Sequence, residues 1–122
     1  MNRSLSVLLV EDEALIRMAL ADMLVELGHN VVAEAGNIED ASSFAMTAEY
    51  DLAILDINLQ GRYVDPVADL IALRGKPFMF ASGYGPDVLP SLLRRRPLVR
   101  KPVSLEQLRD AIDGMFEGAE AS

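Results

Sequence analysis

The feature that most constrains this chain is a repeated alternation in which a short apolar run is followed by a segment of helical period. Ser6-Val7-Leu8-Leu9-Val10 is apolar without polar alternation, the pattern of a strand buried on both faces of a parallel sheet. From Ala14 the period changes. Ile16, Leu20, Met23, Leu24 and Leu27 fall on one helical stripe, Arg17, Asp22 and Glu26 fall off it, and Gly28 suits the position after a helix. A second unit runs from Asn30 to Ala35, with Asn37 as N-cap of a helix through Phe44 and Met46. The third strand is Asp51 to Asp56, after which Asp65 and Pro66 read as N-cap and first residue of a helix that Gly75 closes. The fourth, Pro77 to Ala81, runs into the loop Ser82-Gly83-Tyr84-Gly85-Pro86, and Pro90 either starts or breaks the helix beyond. Leu98-Val99-Arg100 is the fifth. Ser104-Leu105-Glu106-Gln107 is a capping box for a helix with Leu105, Leu108, Ile112, Met115 and Phe116 inward.

Five such units predict an α/β fold: a five-stranded parallel sheet with right-handed crossovers, flavodoxin-like and doubly wound as (βα)5. No repeat or composition break divides residues 1–122, so one domain is expected. A chain ending at Ser122 leaves no room for an output domain, and the expectation is a stand-alone monomer or weak dimer. Eleven bases against nineteen acids give a net charge of −8, which opposes a nucleic-acid backbone at each contact. With no cysteine, disulfide frameworks, thiolate metal sites and thiol catalysis are excluded. The apolar run Leu5 to Val10 is too short for a secretory leader, and nothing approaches a membrane span. A cytoplasmic protein is expected.

Sites in open α/β sheets form at the carboxyl ends of the strands. Those ends carry Glu11-Asp12, Asp56, Ser82 and Lys101. Three crowded carboxylates repel one another, so either a cation sits among them or at least one holds a proton. Mg2+ suits an all-oxygen set and often binds through one or two carboxylates plus a phosphate. Asp56 can then attack a phosphoryl donor to form an acyl phosphate, while Mg2+ and Lys101 neutralise the transferred oxygens and Ser82 donates a hydrogen bond to them.

These residues, in type, order and spacing, resemble a response-regulator receiver domain, over Val7 to about Ile112. The resemblance implies an acidic pair in Glu11 and Asp12, a phosphoacceptor in Asp56, a switch hydroxyl in Ser82 and a phosphoryl-contacting lysine in Lys101. It also implies that the backbone carbonyl of Asn58 completes the metal ligands Glu11, Asp12 and Asp56. Pro77-Phe78-Met79-Phe80-Ala81-Ser82-Gly83-Tyr84 is further similar to the motif of the alphaproteobacterial "FATGUY" single-domain regulators, with serine for the usual threonine. That likeness implies a histidine kinase as partner, a histidine phosphotransferase besides, and a link to general-stress phosphorelays. Leu98 stands where a switch aromatic is usual and Gln60 where proline is common, so Phe80 and Tyr84 are the expected switch residues.

Arg94, Arg95, Arg96, Arg100 and Lys101 are five of eleven bases within eight positions. They read either as a solvated patch or as a partner-docking surface centred on Arg94, Arg95 and Arg96. His29 reads as a surface turn residue and the six methionines as core filler. Gly83-x-Gly85 is no dinucleotide fingerprint. A phosphoacceptor that assists its own phosphorylation and dephosphorylation, and is otherwise no enzyme, is the leading reading, either as relay or as phosphoryl sink. A flavodoxin-like FMN electron carrier would need a phosphate cradle after the first strand, where Glu11-Asp12-Glu13 stand. An aspartate-nucleophile phosphatase usually needs a second carboxylate where Asn58 stands.

Overall fold

The computed structural model describes residues 4–85, 88–89 and 93–121, with side chains of the final helix described as far as Phe116. In chain order the elements are β1 (Ser6–Val10), α1 (Ala14–Glu26), β2 (Asn30–Ala35), α2 (Ile38–Thr47), β3 (Leu52–Leu55), β4 (Asn58–Leu59), β5 (Arg62–Tyr63), α3 (Asp65–Leu73), β6 (Phe78–Ser82), β7 (Leu98–Arg100) and α4 (Leu105–Ala121). Five of the strands form one parallel sheet in the order β2-β1-β3-β6-β7. The chain moves outward in opposite directions from β1 and β3, and the crevice for a site opens at the carboxyl ends there.

Alternation within the buried strands feeds two cores. Leu8, Val10, Ala53, Leu55, Phe78 and Phe80 pack with α2 and α3. Val7, Leu9, Leu52, Ile54, Met79 and Ala81 pack on the other face with Leu20 and Leu24 of α1 and Leu108 and Ile112 of α4. Each fully buried large apolar side chain contributes about 1.5–3 kcal/mol, so a one-residue register slip would exchange the residues of both cores. Helix ends follow local chemistry: the Asn37 side chain accepts from the Asp40 N–H at 2.7 Å, and Ser104 and Gln107 cap reciprocally at 3.1 and 3.2 Å.

The structure corrects several expectations. Asp65 does not cap its helix from outside; it lies in the first turn, with Val64 as N-cap and no side-chain cap bond. Ser82 ends β6 and does not begin the loop. Between β6 and β7 the described residues hold a 3-10 turn, Leu93–Arg95, and no α-helix. Pro97 follows at once and disfavours helical backbone at Arg96. The expectations placed on Pro86 and Pro90 lie outside the described residues. His29 is not a surface turn residue: it is buried, and its Nδ1 accepts the Leu5 N–H at 3.1 Å. Among the described residues no helix is long and apolar enough to cross a membrane.

One element had no counterpart in the pattern of the sequence. β4 and β5 pair antiparallel, Asn58 opposite Tyr63 and Leu59 opposite Arg62. The two residues between them, Gln60 and Gly61, have φ of 53° and 84°, the left-handed backbone that a tight hairpin of type I′ requires.

Candidate functional site

β1, β3, β6 and β7 are neighbours, so the polar groups that follow them converge. Backbone bonds fix their heights: Asp56 N–H donates to Val10 O, Glu11 N–H to Ala35 O and Lys101 N–H to Ser82 O, each at 2.9 Å. Carboxylate oxygens of Glu11, Asp12 and Asp56 all lie within 4.8 Å of one another. The Lys101 ammonium pairs with Glu11 Oε1 and stands 3.2 Å from Asp56 Oδ2. Asp12, Asp56, Asn58 and Lys101 line a cleft of about 310 Å3, together with Gly83 and Tyr84. The structure thus brings together Glu11, Asp12, Asp56 and Lys101.

Electrostatics move Glu11 and Asp12 in opposite directions. Burial pushes the Glu11 carboxyl up to about 7, with the Asp56 charge adding to the rise and the Lys101 ammonium and Glu13 N–H opposing it. Asp12 shifts the other way. Partial burial alone would raise it, but the Gln60 N–H, which donates to Asp12 Oδ2 at 2.9 Å, with hydrogen bonding from Glu11 and from its own backbone and the Lys101 charge, holds it below the ordinary carboxylate range. Lys101 is held above the usual lysine value because its carboxylate partners outweigh its burial.

The donor set fits a hard divalent cation: it is all oxygen, and Asp12 and Asp56 border an open cleft. Glu11 is placed differently. It is 1% exposed, and both its oxygens are engaged, Oε1 by Lys101 and Oε2 by the Glu13 N–H at 3.0 Å. Asn58 sits two residues beyond Asp56, its N–H a long 3.5 Å from Asp56 Oδ1.

Ser82 is fully buried, and its Oγ accepts the Tyr84 N–H at 2.9 Å. Phe80 lies beneath it in β6, edge-on to Phe78 with ring centroids 5.8 Å apart. Tyr84 is exposed. Arg100 donates to Gly83 O at 3.2 Å, tying β7 to the same loop.

The basic cluster separates into different environments. The Arg96 guanidinium lies 4.1 Å from the Phe78 ring centroid and covers the core beneath. Arg94 Nε donates to Leu89 O at 2.9 Å, and Arg95 is exposed.

Two contributors were not legible beforehand. The Gln60 N–H reaches Asp12 only because the hairpin turns there, and Gln60 stood out solely as a departure from proline. Arg17 donates to Glu11 O at 2.6 Å and pairs with Glu34 at 3.3 Å. Its Nη1 would lie 3.1 Å from a Cβ built on Gly36. The glycine itself was the one available signal in the sequence, and its φ, which is not positive, shows that the space taken by Arg17 and not a turn is what the missing Cβ serves.

Comparison with known proteins agrees with this geometry. The family model for the response regulator receiver domain matches residues 7–66. The transcriptional regulatory protein PdtaR of Mycobacterium tuberculosis is 34% identical over 111 residues, covering 88% of this chain and 54% of PdtaR. The chain thus spans about half the length of that curated relative. Among solved structures, the BeF3-activated conformation of SdrG from Pseudomonas melonis is 36% identical with a TM-score of 0.78, over 91% of this chain and 95% of that one. The PhyR receiver domain of Erythrobacter litoralis is 32% identical with a TM-score of 0.78, over 91% and 88%.

Proposed function

The chain belongs to the response-regulator receiver family, and we propose that it accepts a phosphoryl group on Asp56 from a histidine kinase. The observation that carries this reading is the Lys101 ammonium 3.2 Å from Asp56 Oδ2 at the mouth of a cleft bordered by Asp12. An oxygen of Asp56 attacks phosphorus, the bond from phosphorus to the donor's leaving atom breaks, and the donor departs with its electron pair. Lys101 neutralises charge on the transferred oxygens, and the Ser82 hydroxyl donates to one of them. Asp12, Asp56 and the carbonyl of Asn58 would hold Mg2+, which when bound neutralises and orients the phosphoryl oxygens. Glu11 acts mainly through Lys101, whose ammonium it holds at the site.

That SdrG, 36% identical to this chain, has a BeF3-activated conformation supports a phosphoryl-like group as what activates this domain. The likeness to SdrG and PhyR, with the Phe80-Ala81-Ser82-Gly83-Tyr84 run, supports a place in a general-stress phosphorelay. There the phosphoryl group passes between histidine kinase, this domain and a histidine phosphotransferase. In this reading Arg95, with the outward edges of Arg94 and Arg96, meets an acidic partner surface and speeds encounter at low salt.

The test is incubation with Mg2+ and acetyl phosphate, read by intact mass. Wild type gains one phosphoryl group, and Asp56→Asn, which keeps the shape and loses the nucleophile, gains none. Equal incorporation in both would overturn the assignment.

A further inference from the structure

We infer that the backbone N–H of Gln60 is a positioning group for Asp12, so that the β4–β5 hairpin latches a cation ligand of the site. This rests on the reading of Asp12 as a ligand, and it adds a contact 48 residues away in the chain: Gln60 N–H donates to Asp12 Oδ2 at 2.9 Å. A carboxylate that gives one oxygen to a fixed donor can no longer rotate freely. Its second oxygen is held in one direction, as partners of metal ligands generally achieve.

The hairpin is built to hold that N–H in place. Gln60 has φ 53°, a conformation that a side chain with a Cβ adopts at a cost, and that persists where the surroundings over-determine it. Here they do. Gly61 N–H donates to Asn58 Oδ1 at 2.8 Å, Asn58 pairs with Tyr63, and Val64 N–H closes on Ile57 O at 2.8 Å. Arg62 ties the hairpin to Glu39 at the start of α2, at 2.6 Å. One turn therefore braces both sides of the site, since Asn58 at its base follows Asp56 and Gln60 at its tip grips Asp12. Coupling runs both ways: a cation that fixes Asp12 must also steady the Gln60 amide.

The experiment compares Mg2+ binding by calorimetry in the full chain for wild type, Gln60→Gly and Gln60→Pro. Glycine keeps the N–H and accepts a positive φ, whereas proline removes the donor and holds φ near −65°. Gln60→Gly should bind as tightly as wild type and Gln60→Pro about tenfold more weakly. A second measurement does not require the proline variant to fold. In wild type the Gln60 amide should exchange slowly, and more slowly with Mg2+. In Asp12→Ala its protection should vanish while the Val64 amide keeps its own. Wild-type affinity in Gln60→Pro, or a Gln60 amide still protected in Asp12→Ala, would overturn the latch alone. A wild-type chain that bound no Mg2+ would overturn the ligand reading with it.

Discussion

The ammonium of Lys101 is shared unequally: it makes its closer contact with Glu11, which is 1% exposed, and stands 3.2 Å from Asp56. Glu11 thus serves as counter-charge for the lysine, and the lysine crosses to the face of Asp56 where new charge would arrive.

That arrangement gives opposite expectations for cation binding and for chemistry. Lys101→Met removes a positive charge that repels Mg2+, an interaction of about 2–8 kcal/mol for a divalent ion near 4 Å, between the limits of bulk water and a protein surface, so Mg2+ should bind at least about tenfold more tightly. Phosphoryl incorporation from acetyl phosphate should fall at least about tenfold for want of the same charge. Calorimetry and intact mass on one preparation read both. Weaker Mg2+ binding in the variant would contradict the assignment of Lys101.

Ser82→Ala removes the acceptor of the Tyr84 N–H and should cost about 1 kcal/mol of stability. Phosphorylation of Asp56 should persist. The Gly83, Tyr84 and Gly85 amides, which in wild type should shift when beryllofluoride is added, should stay where they are in the variant. A full shift in Ser82→Ala would remove the hydroxyl from the switch.

Burial holds His29 below its ordinary value of 6.5, outweighing the Asp113 charge that pulls the other way. The unfolded chain therefore takes up the proton first. The contribution of neutral His29 is complete above pH 6.5 and is lost as pH falls through the folded value. Protonation also removes the acceptor of the Leu5 N–H. His29→Asn supplies an amide oxygen that does not titrate. Urea unfolding at pH 7.5 and 5.5 should show the wild type losing about 1 kcal/mol more than the variant. Taking the difference isolates His29 from Glu11, whose raised value acts in the opposite sense. Parallel losses would place the pH sensitivity elsewhere.

Gly36→Ala sets a methyl 3.1 Å from Arg17 Nη1, which already donates to Glu11 O while Nε of the same guanidinium pairs with Glu34. The substitution should cost about 1 kcal/mol in wild type. In an Arg17→Ala background it should be neutral or stabilising, because alanine narrows the unfolded ensemble. A double-mutant cycle measures the coupling, and additivity would show that Arg17 is not what requires glycine there.

The sequence by itself determined the periodic elements and the composition of the site. Ser6–Val10 is the strand that its apolar run describes, because burial on both faces of a parallel sheet leaves almost no polar position, and Leu98–Arg100 is the short strand expected, at the sheet edge where Arg100 stays exposed. Glu11, Asp12, Asp56, Ser82 and Lys101 follow or end neighbouring strands, so strand order alone carries them to one edge. Groups whose role depends on contacts between distant segments were decided only by the tertiary structure. His29 follows a helix-ending glycine, as a solvent-facing turn residue would, yet packing places it under Leu5. Arg17 and Gln60 belong to the site through contacts with the backbone of Glu11 and the side chain of Asp12. A guanidinium passing over a glycine and a backbone amide at a hairpin tip leave almost no mark on residue pattern. Burial is periodic along a chain and therefore readable from it, whereas a hydrogen bond between remote segments depends on where the packed elements set their ends.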